Sequence, residues 1–112
     1  MKFELFKSEK NNKIYFHLKA SNGQIILQSQ GYADKSGAKN GIESVKKNCG
    51  DDANFERKEA ANGKFHFNLL AANKQIIGSS QMYASKDSME NGVESVKKTA
   101  PKAETVDMTA AA

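Results

Sequence analysis

The chain has 112 residues, 38% of them hydrophobic and 27% charged, which gives room for one core, leaves little room for a second independent core, and favours a folded domain over disorder. A single cysteine excludes an intramolecular disulfide, and Cys49 with two histidines is too small a set for a structural zinc site, so we expect no cofactor. No apolar run approaches the roughly 20 residues of a membrane helix, and the charged start does not resemble a signal peptide, so we expect a cytoplasmic protein.

An internal repeat is the strongest feature of the sequence. At an offset of 51, residues 16–26 align with 67–77 and residues 40–47 align with 91–98. About half of the aligned positions are identical, which indicates a duplication. We expect one domain over 1–108, made of a first repeat at 1–51 and a second repeat at 52–108. The last residues, 109–112, are predicted to be a disordered tail.

The first predicted elements of each repeat are strands joined by a hairpin turn. Apolar residues alternate with polar ones from Ile14 to Ala20, which is typical of a strand with one face on the core. Asn22-Gly23 favours a type I′ turn, because both central residues of that turn need a positive φ. Such a turn would pair Ala20 with Ile25 and Leu18 with Leu27.

A helix follows the strands in each repeat. Asp34 and Ser85 are candidate N-caps, and the apolar residues after them return at helical spacing. A glycine lies in each apolar stripe, Gly41 in the first repeat and Gly92 in the second. Glycine inside a helix costs about 1 kcal/mol relative to alanine, so we expect another part of the chain to approach closely there.

Further strands are predicted at Ala53–Glu59, between the repeats, and at Thr105–Met108, near the end. Neither repeat has enough apolar residues to cover a core alone. We therefore expect an α+β fold with one mainly antiparallel sheet, both helices on one face, and a pseudo-two-fold relating the halves. The strand at Ala53–Glu59 would close the first repeat and open the second, so the halves should share or swap strands.

Several strings resemble the YegP-like family of bacterial proteins, a domain of unknown function. They are residues 22–26 (NGQII), 29–32 (SQGY), 40–48 (NGIESVKKN) and 53–56 (ANFE). The resemblance implies a β-β-β-α-β unit in tandem, and it implies no activity and no site residues. The second repeat departs from these strings at Leu70, Lys74, Gly78 and Met82.

Residues that could carry catalysis are few. Cys49 and His17 are the nearest candidates for a nucleophile and a base, but their spacing does not bring them together, and the second repeat has Ala100 and Asn68 there. We interpret Cys49 as a loop thiol and His17 as an outward-facing strand residue. No phosphate loop or hydrolase motif is present in the sequence. The sequence therefore favours a protein that is not an enzyme.

Two surfaces are candidates for binding. One is a doubled basic patch at the helix ends, although lysines there are also favoured by the helix dipole; it comprises Lys46, Lys47, Lys97 and Lys98. The other is the sheet face away from the helices, whose side chains could stack on bases and hydrogen-bond to them. Its residues are Tyr15, His17, His66, Gln28, Gln30 and Gln81. An apolar patch of Ile26, Leu70 and Ile77 on that face would favour a protein partner or self-association.

Three hypotheses about function remain. The first is a non-enzymatic binding or assembly module with an unknown ligand. The alternative is a nucleic-acid-binding protein that uses the paired lysines and the open sheet face, which a net charge of +4 permits without requiring. The third is an enzyme that acts on a small molecule. The full-length chain is expected to be a monomer containing an internal pseudo-dimer.

Overall fold

A computed structural model describes residues 1–109, and the rest of the expected tail lies outside them. Within this range the chain forms seven strands and two long helices. In chain order they are β1 (Lys2–Lys7), β2 (Ile14–Lys19), β3 (Ile25–Gln28), α1 (Lys35–Asn48), β4 (Phe55–Glu59), β5 (Phe65–Leu70), β6 (Ile76–Ser80), α2 (Lys86–Thr99) and β7 (Glu104–Asp107).

The hairpin between β2 and β3 has a three-residue turn followed by a bulge. Gly23 has a φ of 87°, and the amide of Ala20 donates to the carbonyl oxygen of Gln24 at 2.8 Å. Lys19 then pairs with Ile25, Leu18 pairs with Leu27, and the residue between them is the extra one of the bulge. The expected Ala20–Ile25 pair is wrong, because one residue with positive φ makes a three-residue turn rather than a type I′ turn. The expected Leu18–Leu27 pair is confirmed, since the bulge restores the register.

Both helices begin where their capping residues predict. The Asp34 carboxylate accepts from the amide of Gly37 at 2.7 Å, and the Ser85 hydroxyl accepts from the amide of Ser88 at 3.1 Å. Each cap satisfies a backbone donor that has no partner inside the helix. The apolar stripe of each helix is buried, with Val45 and Val96 at equivalent places in the core.

The seven strands form one mixed sheet in the order β4-β5-β6-β3-β2-β1-β7. The two repeats meet where β3 pairs with β6, which places the pseudo-two-fold between these strands. Neighbouring strands are antiparallel except β7, which belongs to the second repeat and pairs in parallel with β1 of the first. The exchange of strands is therefore carried by β7. The strand that we expected to be shared, β4, pairs with β5 and forms the opposite edge of the sheet.

One apolar core lies between the sheet and the two helices. Phe3, Phe16 and Phe67 are fully buried in it, together with the apolar stripes of the helices. This arrangement confirms the α+β fold with both helices on one face of the sheet. The other face is open, and it carries the side chains that alternate with those of the core. No helix within residues 1–109 is long and apolar enough to cross a membrane.

Candidate functional site

The open face is most distinctive where β1 and β2 pair. The register places Phe6 opposite Tyr15, Glu4 opposite His17, and Lys2 opposite Lys19. These side chains share one face because alternate residues of a strand point to the same side. Directly opposite side chains on one face interact, so these three pairs define the local chemistry.

Glu4 is a buried carboxylate at the centre of this group. Its side chain is 9% exposed, and its Oε1 lies 2.7 Å from Nε2 of His17 and 3.1 Å from Nζ of Lys19. Lys2 lies 3.4 Å from the other carboxylate oxygen. The hydrogen bond from His17, followed by those from the two lysines, outweighs desolvation and lowers the pKa of Glu4 to about 2. Glu4 is therefore a fixed anion that orients His17.

Three aromatic rings form a row next to Glu4, and we call Phe6, Tyr15 and His17 the aromatic row. The rings of Phe6 and Tyr15 stack with centroids 5.9 Å apart and planes 18° apart. The ring of Phe6 also lies 4.9 Å from the ring of His17. All three side chains are half-buried. The row therefore keeps partly exposed aromatic surface on the open face.

A concavity of about 250 Å³ opens beside the aromatic row. Phe6 and Tyr15 line one part of it, and Ser8, Gln28 and Ser29 line another. The Ser29 hydroxyl is already engaged, since it accepts from the amide of Phe16 and donates to the carbonyl of Gln30. The exposed side chain of Gln28 makes none of the side-chain hydrogen bonds found within residues 1–109, so its amide is available to a ligand.

The second repeat has different residues at the equivalent places. Asn68 replaces His17, and its amide donates to Glu56 at 3.0 Å while its oxygen accepts from Ser79 at 2.8 Å. Lys58 and His66 face each other where the first repeat has Phe6 and Tyr15. The buried polar pair is thus common to both repeats, whereas the stacked Phe–Tyr pair belongs to the first.

The four lysines at the helix ends do not join the open face. Lys46 lies over the ring of Phe3 at 5.8 Å, and Lys97 lies over the ring of Phe55 at 5.7 Å, both on the helix side of the sheet. Lys97 also pairs with Asp52 at 2.5 Å. Lys47 and Lys98 are exposed. The two surfaces expected from the sequence therefore lie in different layers of the fold.

Cys49 is part of the core. The side chain is fully buried, its sulfur lies 3.6 Å from the carbonyl oxygen of Lys46, and burial raises the pKa of the thiol. Cys49 lies in the turn after α1, as expected of a loop thiol, but its side chain points into the core, as that of its buried counterpart Ala100 does. His17 lies on the open face as expected, but its side chain is only 13% exposed and is bound to Glu4, which the sequence did not predict.

The remaining predicted residues are dispersed. His66 lies on the open face in the other half of the sheet, and Gln30 and Gln81 follow the ends of β3 and β6.

The expected apolar patch has a different composition, because Ile26 and Ile77 are 7% and 8% exposed and belong to the core cluster. Leu70, by contrast, lies half-buried on the open face opposite Ile76, which is 44% exposed. Ile26 and Ile77 lie at the bulges that follow the hairpin turns. The alternation of apolar and polar residues did not predict these bulges.

Sequence reasoning did not identify two residues of this site, Glu4 and Phe6. Both lie on β1, which the offset of 51 does not align with the second repeat. The match of Phe3-Glu4 with Phe55-Glu56 at an offset of 52 was the one sequence feature that could have identified Glu4. A carboxylate at the same place in both repeats indicates a shared role, and the structure shows each one bonded to the neighbouring strand.

A tandem α+β protein, with one mixed sheet and two helices built from two copies of a single unit, is the class that this fold defines. The family described as "Domain of unknown function (DUF1508)" matches residues 9–56 and again residues 60–107. The chain therefore belongs to the DUF1508 family and carries its domain twice. This confirms the resemblance to the YegP-like family.

Relatives and solved structures agree with this assignment. The chain is 54% identical over 106 residues to the "UPF0339 protein in ptx operon 5′region" of Stutzerimonas stutzeri, with 95% of each chain covered. It is 55% identical over 95 residues to the UPF0339 protein YegP of Escherichia coli, covering 85% of this chain and 86% of that protein.

The fold agrees with two solution NMR structures, each with a TM-score of 0.91. One is a UPF0339 protein of Shewanella oneidensis, 47% identical, covering 96% of this chain and 91% of that chain. The other is the E. coli yegP protein of unknown function, 49% identical, covering 99% and 95%. These relatives are uncharacterised, and their names indicate no enzymatic activity.

Proposed function

We propose that the protein is a non-enzymatic binding module whose ligand site is the concavity beside the aromatic row. The observation that carries this proposal is the half-exposed stack of Phe6 and Tyr15 beside the available amide of Gln28. Concave sites with aromatic walls and a few polar groups are typical of ligand binding. The second repeat keeps the buried polar pair without the aromatic stack, so the fold does not require that stack.

The environments of Cys49 and His17 support binding rather than catalysis. A buried thiol with a raised pKa is a poor nucleophile. The Nε2 atom of His17 is bonded to Glu4, an anion with a pKa of about 2. Glu4 thus orients an aromatic ring of the binding surface.

The test is a titration of the full chain with phenol and with indole, followed by amide NMR shifts. We expect saturable shifts at the amides around Phe6, Tyr15 and Gln28, and we expect Tyr15→Ala to abolish them. A matched control is Lys58→Ala, which removes the side chain that takes the place of Phe6 in the second repeat. Shifts that are absent, or that survive Tyr15→Ala, would refute the site.

Nucleic-acid binding is the second candidate, favoured by the exposed Lys47 and Lys98 and by the aromatic row. The open face supports it less, because three lysines and three glutamates balance there: Lys2, Lys19, Lys58, Glu4, Glu56 and Glu104. Fluorescence anisotropy with labelled RNA and DNA at two salt concentrations tests this candidate. Micromolar binding with a steep salt dependence would favour it, and flat curves at low salt would eliminate it.

A further inference from the structure

We propose that the ligand of the concavity is a free mononucleotide, with its base against the aromatic row and its phosphate at the lysines of the β1–β2 turn. This inference rests on the proposed function and adds the class of ligand. Three features carry it: the size and lining of the concavity, the charge of the adjoining turn, and the balance of charge on the rest of the open face.

The concavity fits one flat, polar ring system. Its volume of about 250 Å³ lies just below the range of roughly 300–1,000 Å³ for sites of drug-sized ligands. Aromatic side chains stack on nucleobases, and a carboxamide can both donate to and accept from a base edge. Tyr15 and Phe6 supply the aromatic surface and Gln28 the carboxamide. The hydroxyl of Tyr15 is held by a 2.8 Å hydrogen bond from Asn11, which fixes the ring.

The adjoining turn offers positive charge for a phosphate. Residues 7–13 contain Lys7, Lys10 and Lys13 against one carboxylate, Glu9. These three lysines form none of the ion pairs found within residues 1–109. Lysines without a carboxylate partner are suited to binding an anion.

Lys13 and the neighbouring surface connect this charge to the aromatic row. A β-carbon at Gly31 would lie 2.8 Å from Cδ of Lys13 and 3.0 Å from Cζ of Tyr15, so the lysine stem and the ring pack together over this glycine. A second concavity, of about 350 Å³, is lined by Lys7, Glu9 and Asn12 and shares Phe6 and Ser8 with the first. A base and its phosphate can therefore occupy adjoining spaces.

A longer polyanion fits this face less well than one nucleotide. Beyond the aromatic row, Lys2 and Lys19 both pair with Glu4, and Glu104 opposite Lys2 supplies the second negative charge. A strand of nucleic acid continuing across the face would place further phosphates beside these carboxylates. Phosphates and carboxylates are both negative and repel each other when they are close. The structure therefore favours a ligand with a single phosphorylated end.

The test uses AMP, adenosine and a (dA)12 oligonucleotide with the full chain, measured by calorimetry and by amide NMR shifts. We expect AMP to bind more tightly than adenosine, with shifts at Phe6, Tyr15, Gln28 and the β1–β2 turn. Tyr15→Ala should weaken AMP binding about tenfold. Lys13→Gln should remove the advantage of AMP over adenosine, whereas Lys64→Gln, at the equivalent place in the second repeat, should leave it unchanged.

Each outcome decides a separate point. Equal binding of AMP and adenosine, or tighter binding of the oligonucleotide per nucleotide, would overturn the mononucleotide. Binding of indole at Tyr15 without any binding of AMP would overturn it while leaving the proposed function intact. Absence of both would overturn both. Because Tyr15→Ala removes a packed ring, the exposed Gln28→Ala provides a second variant, and it should weaken AMP binding several-fold while the thermal unfolding midpoint stays constant.

Discussion

Tyr32 packs directly against Gly41 in the middle of α1. A β-carbon at Gly41 would lie 2.8 Å from Cζ of Tyr32 and 2.9 Å from Cε2 of Phe16. The second repeat has the same contact, with a β-carbon at Gly92 placed 2.9 Å from Cζ of Tyr83. Burial raises the pKa of both tyrosines, so their hydroxyls stay neutral to a higher pH than that of an exposed tyrosine. Each helix glycine thus makes room for the tyrosine of its own repeat.

Gly41→Ala is expected to destabilise the protein by up to about 2 kcal/mol in urea unfolding. Alanine gains about 1 kcal/mol of helix propensity, but overpacking against two rings costs about 1–3 kcal/mol, and the buried Phe16 has little room to move. Gly92→Ala meets the half-buried Tyr83 alone, so it should be closer to neutral. Equal effects of the two variants would contradict this difference, and Gly41→Leu should cost more than Gly41→Ala.

Lys74→Gly is expected to stabilise the protein by about 1 kcal/mol. Lys74 has a φ of 71° at the place where the first repeat has Gly23 with a φ of 87°. The left-handed conformation costs a non-glycine residue about 1–2 kcal/mol, part of which is offset by the greater freedom of glycine in the unfolded chain. The mirror variant Gly23→Lys should destabilise by a similar amount. Thermal unfolding midpoints that move in the same direction for both variants would contradict the argument.

The sequence was sufficient to predict the duplication, because the two halves align at one offset. It also predicted the helix starts and the layer arrangement, because those features depend on capping residues and on the spacing of apolar residues. The bulges were not predicted, since they depend on how Gly23 and Lys74 close their turns in three dimensions. The burial of Glu4 was equally hidden, because three basic partners come from its own strand and from β2. The parallel pairing of β7 with β1 was also not predicted, because it joins the two ends of the chain and no local sequence pattern indicates which distant strands will pair.

The stabilisation from Glu4 is expected to be lost in acid. Its pKa falls from 4.5 to about 2 in the folded protein, so its contribution is present above pH 4.5 and is lost as the pH falls toward 2. Glu4→Gln should cost about 1–3 kcal/mol at pH 7 and should reduce the loss of stability between pH 5 and pH 2. Urea unfolding in 0.5 M salt, which screens the exposed pairs of Asp52, measures this. Identical pH profiles for the variant and its parent would contradict the role of Glu4.

The edge of the sheet at β4 carries charged side chains. At the offset of 52, Arg57 and Lys58 on the uncovered β4 correspond to Leu5 and Phe6 on β1, which β7 covers. Charged residues on an edge strand oppose pairing with another sheet. We therefore expect Arg57→Leu with Lys58→Phe to produce concentration-dependent dimers in light scattering, while the parent and Lys58→Glu stay monomeric at micromolar concentration. A monomeric double variant would show that charge is not what protects this edge.

A half-chain spanning residues 1–59 is expected to form a strand-exchanged homodimer. In the full chain, β7 of the second repeat pairs in parallel with β1 of the first, from Lys2 with Glu104 to Leu5 with Asp107. At the offset of 51, residues 53–56, which lie just after the first repeat, correspond to Glu104–Asp107. Two half-chains could therefore each place residues 53–56 on β1 of the other, and a unit of this size is only marginally stable alone.

The half-chain dimer would replace the covalent tandem by an equivalent contact between two molecules. Light scattering should give twice the mass of the half-chain, and urea unfolding should become more resistant as protein concentration rises, because dissociation accompanies unfolding. A shorter control ending at Gly50 lacks the exchanged strand and should not form this dimer. A half-chain of residues 1–59 that folds as a monomer would mean that each repeat closes its own sheet, and that the β7–β1 pairing is dispensable.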